Sequence, residues 1–357
     1  MTLIIAEAGV NHNGDEALAY KLIDVAKESG ADIVKFQTFK AKNLVTRHAQ
    51  QAKYQAINIG KAESQFEMLA RLELPLDAHF RLMDYCKSLN IEFLSTAFDS
   101  ESLDFLVNQL NLTRLKIPSG EITNAPFLLQ HARTNCNVIL STGMATLAEV
   151  EQALGVLAFG YTAPQDAIPS ISAFQEAYCS EAGQLALKKQ VTLLHCTSEY
   201  PAPLEDINLS AMNTLADAFG VKAGYSDHSE GIIVPIAAVA RGAVVIEKHF
   251  TLDKDMEGPD HKASLNPDEL KAMVKGIRSI EMALGNGIKE PRPSELKNRD
   301  IIRKSLVAAR DISAGECLSP ECLSIKRPGN GTSPFKYWEI LSTQSSRSYK
   351  TDDELYE

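Results

Sequence analysis

The sequence predicts a (β/α)8 barrel followed by a small β-rich domain. Three observations point there. Eight short β-branched or aliphatic runs recur, each followed by a longer stretch of helical spacing, as expected of strand-helix units around a parallel sheet. Those units occupy residues 1–285, the ordinary scale of such a barrel. Beyond residue 300 the helical repeat gives way to short β-like pieces with glycine turns.

The first strand reads LIIAE (3 to 7) and leads into EALAYKLIDVAKESG, a helix that Gly30 stops. Strands two to four are DIVKFQ (32 to 37), IEFLST (91 to 96) and RLKIPS (114 to 119). The fifth, NVILST (137 to 142), precedes TLAEVEQALGVLA, with Thr146 as N-cap. The sixth, VTLLHC (191 to 196), follows an unusually long connection over residues 157 to 190, which predicts one extra helix and carries no readable chemistry. KAGYSDH (222 to 228) precedes the helix GIIVPIAAVARG, and AVVIEKH (243 to 249) completes the set. After a last barrel helix near ELKAMVKGIRSIEMALG, residues 286 to 300 contain two prolines and read as a linker. Residues 301 to 357 form the second domain.

With 357 residues, 45% of them hydrophobic, the chain can bury a large core. Its formal charge of −10 is spread without acidic blocks, which disfavours nucleic acid or an anionic membrane as partner. An anionic small substrate therefore needs a locally basic pocket. The N-terminal run is interrupted at Glu7 and has no basic flank, so neither a signal peptide nor a membrane span is expected, and the cytoplasm is the expected compartment. Cys86, Cys136, Cys179, Cys196, Cys317 and Cys322 form no C-x-x-C pair or zinc spacing and read as reduced. Cys196 beside His195 at a strand end raises the idea of a nucleophile, but packing or lining is the reading adopted.

In barrels of this kind the reacting groups come from the C-terminal strand ends, whose loops open on one shared mouth. Here those ends supply Glu7, Lys35, Gln37, Ser95, Thr96, Lys116, Ser119, Glu121, Ser141, Thr142, His195, Ser226, Asp227, His228, Glu247 and His249. Residues 247 to 249 are expected to face the mouth together. Lys35 and Lys116, flanked by Thr96, Ser119, Ser141 and Ser226, suit a phosphate and a carboxylate. His228 and His249, from neighbouring strands, suit one divalent ion that polarises an aldehyde oxygen, with Glu247 binding the same ion or orienting it from behind.

The motifs AEAGVNHNGD, VKFQTF, FLSTAFD, LKIPSGE, ILSTGM, LLHCTSEYPAP, GYSDHSEG, IEKHFTLD, GPDHKAS and KRPGNG, in this order, closely resemble the sialic acid synthase family across essentially the whole chain. The resemblance implies a (β/α)8 barrel (1–285) joined through 286–300 to a C-terminal antifreeze-like (SAF, β-clip) domain (301–357). It implies condensation of phosphoenolpyruvate with an N-acylated aminosugar aldehyde to a nine-carbon 2-keto acid, with release of phosphate. Carried over by position, His228 and His249 hold a manganese-type ion, with magnesium or cobalt as alternatives. Lys35, Thr96, Lys116, Ser119, Ser141 and Ser226 surround phosphoenolpyruvate. Glu121 is the base for water attack, Glu7 and Asp260 stand near the sugar, and Gln37 and Tyr200 line the cleft. Arg327 matches an arginine that enters the partner barrel of a domain-swapped homodimer to bind the N-acyl group.

Two departures from the family pattern stand out. Thr197, Ser198 and Glu199 replace the usual asparagine before YP, leaving Ser198 as the phosphoenolpyruvate contact there. The tail ILSTQSSRSYKTDDELYE lacks the usual Gly-Lys, which implies a looser end to the small domain. Within the family the strings look more like legionaminic acid synthases, which take 2,4-diacetamido-2,4,6-trideoxymannose, than like N-acetylneuraminate synthases, which take N-acetylmannosamine. Two rival readings are a Schiff-base aldolase using Lys35 or Lys116, and a non-catalytic sugar-binding protein working through the small domain.

Overall fold

The computed structural model describes residues 1–51 and 63–357, and these fall into two compact units, Met1–Gly285 and Asn286–Glu357. The first unit is a closed barrel of eight parallel strands in chain order. They are β1 (Leu3–Gly9), β2 (Ile33–Thr38), β3 (Glu92–Ala97), β4 (Arg114–Ile117), β5 (Asn137–Ser141), β6 (Val191–His195), β7 (Lys222–Asp227) and β8 (Val245–His249). The barrel class and all eight strands match the sequence reading to within about three residues at each end. Gly30, at φ 82°, ends the helix Glu16–Ser29, and the Thr146 side chain caps Leu147–Thr162.

The inside of the barrel explains why its mouth is polar. Ile5, Ile33, Leu94, Ile139, Leu194 and Val245, one residue from each of six strands, form a single buried cluster. Residues so far apart in sequence meet this way only within the closed sheet, where they make an apolar floor. On β7 the corresponding space belongs to Gly224: an added Cβ there would stand 2.8 Å from Leu194 Cδ2 and 2.4 Å from the Val245 carbonyl. Side chains alternate along a strand, so residues two beyond the floor again face inward. These are Glu7, Lys35, Thr96, Ser141, Cys196 and Glu247. Two larger apolar clusters fill the space between the strands and the surrounding helices.

The same alternation corrects part of the sequence reading. Lys248 does not join Glu247 and His249 at the mouth. It lies opposite Asp227 in the β7–β8 register, and its Nζ donates to Asp227 Oδ2 at 2.7 Å and to the Ser229 carbonyl, with the ion pair almost fully buried. Asp227 Oδ1 in turn accepts from the backbone N–H and hydroxyl of Ser229. Ser95, Thr142 and His195 likewise bond elsewhere: Ser95 to Thr38, Thr142 to the Leu194 carbonyl, and His195 to the Ile207 carbonyl.

Three further segments depart from expectation. Residues 157 to 190 carry two helices beyond Leu147–Thr162, at Ile171–Cys179 and Glu181–Gln190, each begun by a serine cap. The stretch read as a linker contains the helix Pro293–Ile302, because Pro293 sits in its first turn, where a missing N–H costs nothing, and Glu295 bonds back to the Arg292 N–H. The C-terminal tail is packed rather than loose. Tyr349 and Leu355 are buried in the second unit's core with Leu306, Ile312, Leu318 and Cys322. The Leu355 N–H donates to the Leu306 carbonyl beside the antiparallel pair β9 (Ser305–Ala308) and β10 (Leu323–Lys326). All six cysteines are free. No helix among the described residues is long and apolar enough to cross a membrane.

The buried Asp227–Lys248 pair yields a stability prediction. Lys248→Met strands a carboxylate in the wall between β7 and β8 and should cost about 3–5 kcal/mol. The double variant Asp227→Leu/Lys248→Met should recover most of that loss. Chemical denaturation of the three proteins measures both, and an unchanged single variant would show the pair to be inert.

Candidate active site

A cavity of about 370 Å³ opens above the apolar floor. Glu7, Lys35, Gln37, Thr96, Lys116, Ser119 and Glu121 line it, as do Ser141, Ser198, Tyr200, Ser226, His228, His249 and Asp260. Every expected site residue of the first unit is therefore gathered in one place. Arg327 lies in the second unit, exposed, immediately before a cis peptide bond to Pro328.

The residue that organises the cavity is Glu247, which the sequence reading sets behind the histidines as a support for their ion. Glu247 accepts from Ser226 Oγ at 2.8 Å and stands 3.5 Å from Lys35 Nζ and 3.4 Å from Lys116 Nζ. Lys35 Nζ also lies 2.7 Å from Glu7 Oε2 and donates to Thr96 Oγ1 at 3.0 Å. Two buried carboxylates and two buried ammonium groups thus alternate as Glu7, Lys35, Glu247, Lys116. The available signal was the two-residue spacing of Glu247 from Val245, which puts it in the polar layer beside the lysines rather than behind the histidines.

Burial raises the Glu7 pKa to about 7 despite the nearby Lys35 charge. Burial also pushes Glu247 upward, but the Lys116 and Lys35 charges and the Ser226 hydroxyl outweigh it and leave its carboxyl well below the ordinary range. For Lys35 the pull of Glu247 and Glu7 overcomes burial and its pKa rises, whereas burial prevails at Lys116 and lowers it. An ion-paired Lys35 with a raised pKa is a poor Schiff-base nucleophile at neutral pH.

Beside this ring stand two imidazoles with centroids 5.7 Å apart. His228 Nδ1 lies 2.6 Å from the Thr197 carbonyl, so it carries the proton and Nε2 presents a lone pair to Tyr200 Oη at 3.1 Å. His249 Nδ1 is buried and has no hydrogen-bond partner among the described residues. Burial lowers His228 to about 4 and, together with the His228 and Lys35 charges, takes His249 well below its ordinary value. Both rings are neutral near pH 7, the form that ligates a metal. Among the described residues no third His, Cys, Asp or Glu completes a cluster, so the donor set fits an ion that keeps open positions.

Beyond the ends of β4, β5 and β6, Ser119, Ser198 and Cys196 crowd Gly143. A Cβ at that glycine would stand 2.4 Å from Ser198 Oγ and 2.9 Å from Ser119 Oγ. Ser119 Oγ accepts from the Gly143 N–H at 3.0 Å and contacts Cys196 Sγ at 3.2 Å, so Cys196 packs behind a lining residue of the cavity. Ser141 Oγ is buried without a partner among the described residues. Glu121, half-buried at the rim, accepts from Asn124 Nδ2 at 2.7 Å.

The chain has counterparts among known proteins. Residues 22–289 match the NeuB family and residues 303–353 the SAF domain. The chain belongs to the NeuB family. It is 52% identical to the N,N'-diacetyllegionaminic acid synthase of Campylobacter jejuni, over 100% of this chain and 99% of that one. It is 47% identical to the protein of the same name from Legionella pneumophila, over 96% and 90%. Among solved structures, an N-acetylneuraminic acid synthetase from Leptospira borgpetersenii in complex with citrate is 33% identical, with a TM-score of 0.65 over 83% of this chain and 90% of that one.

Asp260 gives this NeuB-family site a pH signature. Burial raises its pKa to about 6, above the ordinary aspartate value, so the folded state binds the proton more tightly than the unfolded one. Ionisation therefore opposes folding, and stability falls as pH rises through about 4 to 6. Asp260→Asn should remove up to about 3 kcal/mol of that fall, at about 1.4 kcal/mol per pKa unit. Denaturation midpoints of both proteins at pH 4 and pH 7 test this; parallel slopes would contradict it.

Proposed function

We propose that the chain condenses phosphoenolpyruvate with 2,4-diacetamido-2,4,6-trideoxymannose to form N,N'-diacetyllegionaminate and phosphate. The observation that carries the chemistry is one cavity holding two buried lysines beside two neutral, buried imidazoles. The choice of sugar is supported by two near full-length relatives named N,N'-diacetyllegionaminic acid synthase. The chain is thus read as a nonulosonate synthase.

Lys35 and Lys116 neutralise the phosphate and carboxylate of phosphoenolpyruvate, assisted by the hydroxyls of Thr96, Ser119, Ser141, Ser198 and Ser226. His228 and His249 would hold a divalent ion, manganese in the first instance, which supplies Lewis-acid polarisation of the sugar's aldehyde oxygen. C3 of phosphoenolpyruvate forms the new bond to the aldehyde carbon as the aldehyde π pair moves to its oxygen. Glu7, whose carboxyl burial keeps partly protonated near neutrality, supplies that oxygen's proton. Water adds at C2 and gives one proton to Glu121; the bond from C2 to the phosphate-bearing oxygen then breaks, the remaining hydroxyl proton passes to the departing phosphate, and a ketone is left at C2. Gln37, Tyr200 and Asp260 position the sugar. Arg327 would reach its N-acyl group from the other subunit of a domain-swapped homodimer.

Phosphate release from phosphoenolpyruvate with manganese and each candidate sugar tests the reading. The diacetamido sugar should give the higher kcat/KM; preference for N-acetylmannosamine would make the enzyme an N-acetylneuraminate synthase. His228→Ala and His249→Ala should each abolish turnover and weaken manganese binding, measured directly by paramagnetic resonance, in a folded protein. Full activity of either variant after metal stripping would refute the metal role.

Glu247 provides a separate check. Without its charge, burial lowers the Lys116 pKa further, so the alkaline limb of the kcat/KM profile for phosphoenolpyruvate should move to lower pH in Glu247→Gln. An unmoved limb would remove Lys116 from anion binding.

A further inference from the structure

The cavity has two unlike sides. Its floor and one rim are polar, from Glu7, Lys35 and Lys116 through Ser198, Tyr200, His228 and Asp260. The other side is apolar: Leu44, Val45, Met68, Leu69 and Leu72 face the cavity, and Gln65 is the polar lining residue among them. Val10 and Phe98 extend that side toward the strand ends.

This wall is not part of the barrel's packing. Val10, Phe39, Met68 and Leu72, with Leu44, Leu69 and Phe98 against them, form a buried cluster separate from those that fill the barrel and its helical layer. It is also braced from behind. The Ser64 capping box starts the helix Gln65–Leu72; Glu73 accepts from the Ala41 N–H at 2.7 Å; Asp99 accepts from the Lys40 N–H at 3.1 Å. Phe39 and Phe98 meet edge to face. A wall held this way is preorganised for an apolar group and offers a hydroxyl almost no hydrogen-bond partner.

We infer that the wall built by Leu44, Val45, Met68, Leu69 and Leu72 seats the C6 methyl of a 6-deoxy sugar and so selects against a C6 hydroxyl. The inference rests on the proposed reaction for its orientation. The reacting C1 is held at the histidines and the phosphoenolpyruvate anions at the lysines, so the distal carbons of the sugar extend outward along the cavity. Of the sides open to them, this one offers, among the described residues, Gln65 as its polar side chain and is otherwise apolar. Desolvating a hydroxyl there without a partner disfavours it, and an apolar pocket rejects an added hydroxyl by about 10- to 100-fold.

The test uses two sugars that differ only at C6, N-acetylmannosamine and 2-acetamido-2,6-dideoxymannose. The wild-type enzyme should show a kcat/KM ratio favouring the deoxy sugar by about 10-fold or more. Val45→Thr, which is nearly isosteric, and Leu69→Gln should each lower that ratio by about 10-fold through loss on the deoxy sugar, with the hydroxyl sugar unchanged or improved. A wild-type ratio near one, or a ratio that neither folded variant changes, overturns the assignment. Phosphate release with the diacetamido sugar, measured alongside, judges the proposed reaction separately, because the C6 comparison does not depend on the C4 substituent.

Discussion

Four charged groups, Glu7, Lys35, Glu247 and Lys116, share a dry layer at the top of the barrel, and no one of them would be tolerated there alone. Each costs several kcal/mol to desolvate, and only the alternation of sign offsets that cost. The alternation follows from barrel closure. Strands β8, β1 and β2 pair so that Glu7 stands opposite both Lys35 and His249, while Glu247 stands opposite Ser226. An anion reaching the lysines, as in the proposed reaction, has to take them from carboxylates. The carboxylate easiest to displace is Glu7, whose ionised form burial already disfavours. Glu247, held by two lysines and a serine, remains as the fixed post of the ring.

The strand alternation that builds this ring also uses its outer face. At the ends of β7 and β8 the inward residues are Ser226, His228, Glu247 and His249, while the outward residues Asp227 and Lys248 lock to each other and to Ser229. The spacing of the two imidazoles is thus set from both sides of the sheet. One side is the Glu247–Ser226 bond in the cavity, and the other is the buried ion pair behind it.

That alternation also marks what the sequence could and could not reveal. The apolar runs and their polar ends were legible because strand period and barrel length both leave strong patterns. Which of two adjacent polar residues turns inward was not, since a one-residue choice flips every side chain. Lys248 was misplaced for that reason, and Glu247 was set behind the histidines when it stands between the lysines. The helix Pro293–Ile302 was hidden because proline marks both turns and helix starts. The packed tail was misjudged because Tyr349 and Leu355 find their partners in Leu306 and Ile312 through pairings of long sequence separation that no local pattern announces.

The apolar wall was illegible for a further reason. Its residues come from connections after β1, β2 and β3, where Leu44, Met68 and Phe98 look like ordinary helix and loop hydrophobics. Only their convergence makes them a surface. A strand-end residue cannot change without disturbing the charge ring, because the barrel fixes its neighbours on both sides. Val45, in a loop, and Leu69, on the helix Gln65–Leu72, touch none of the four charged groups. On the proposed reading, chemistry sits on the strand ends and shape on the connections that follow them, which would place sugar selectivity away from the charge ring.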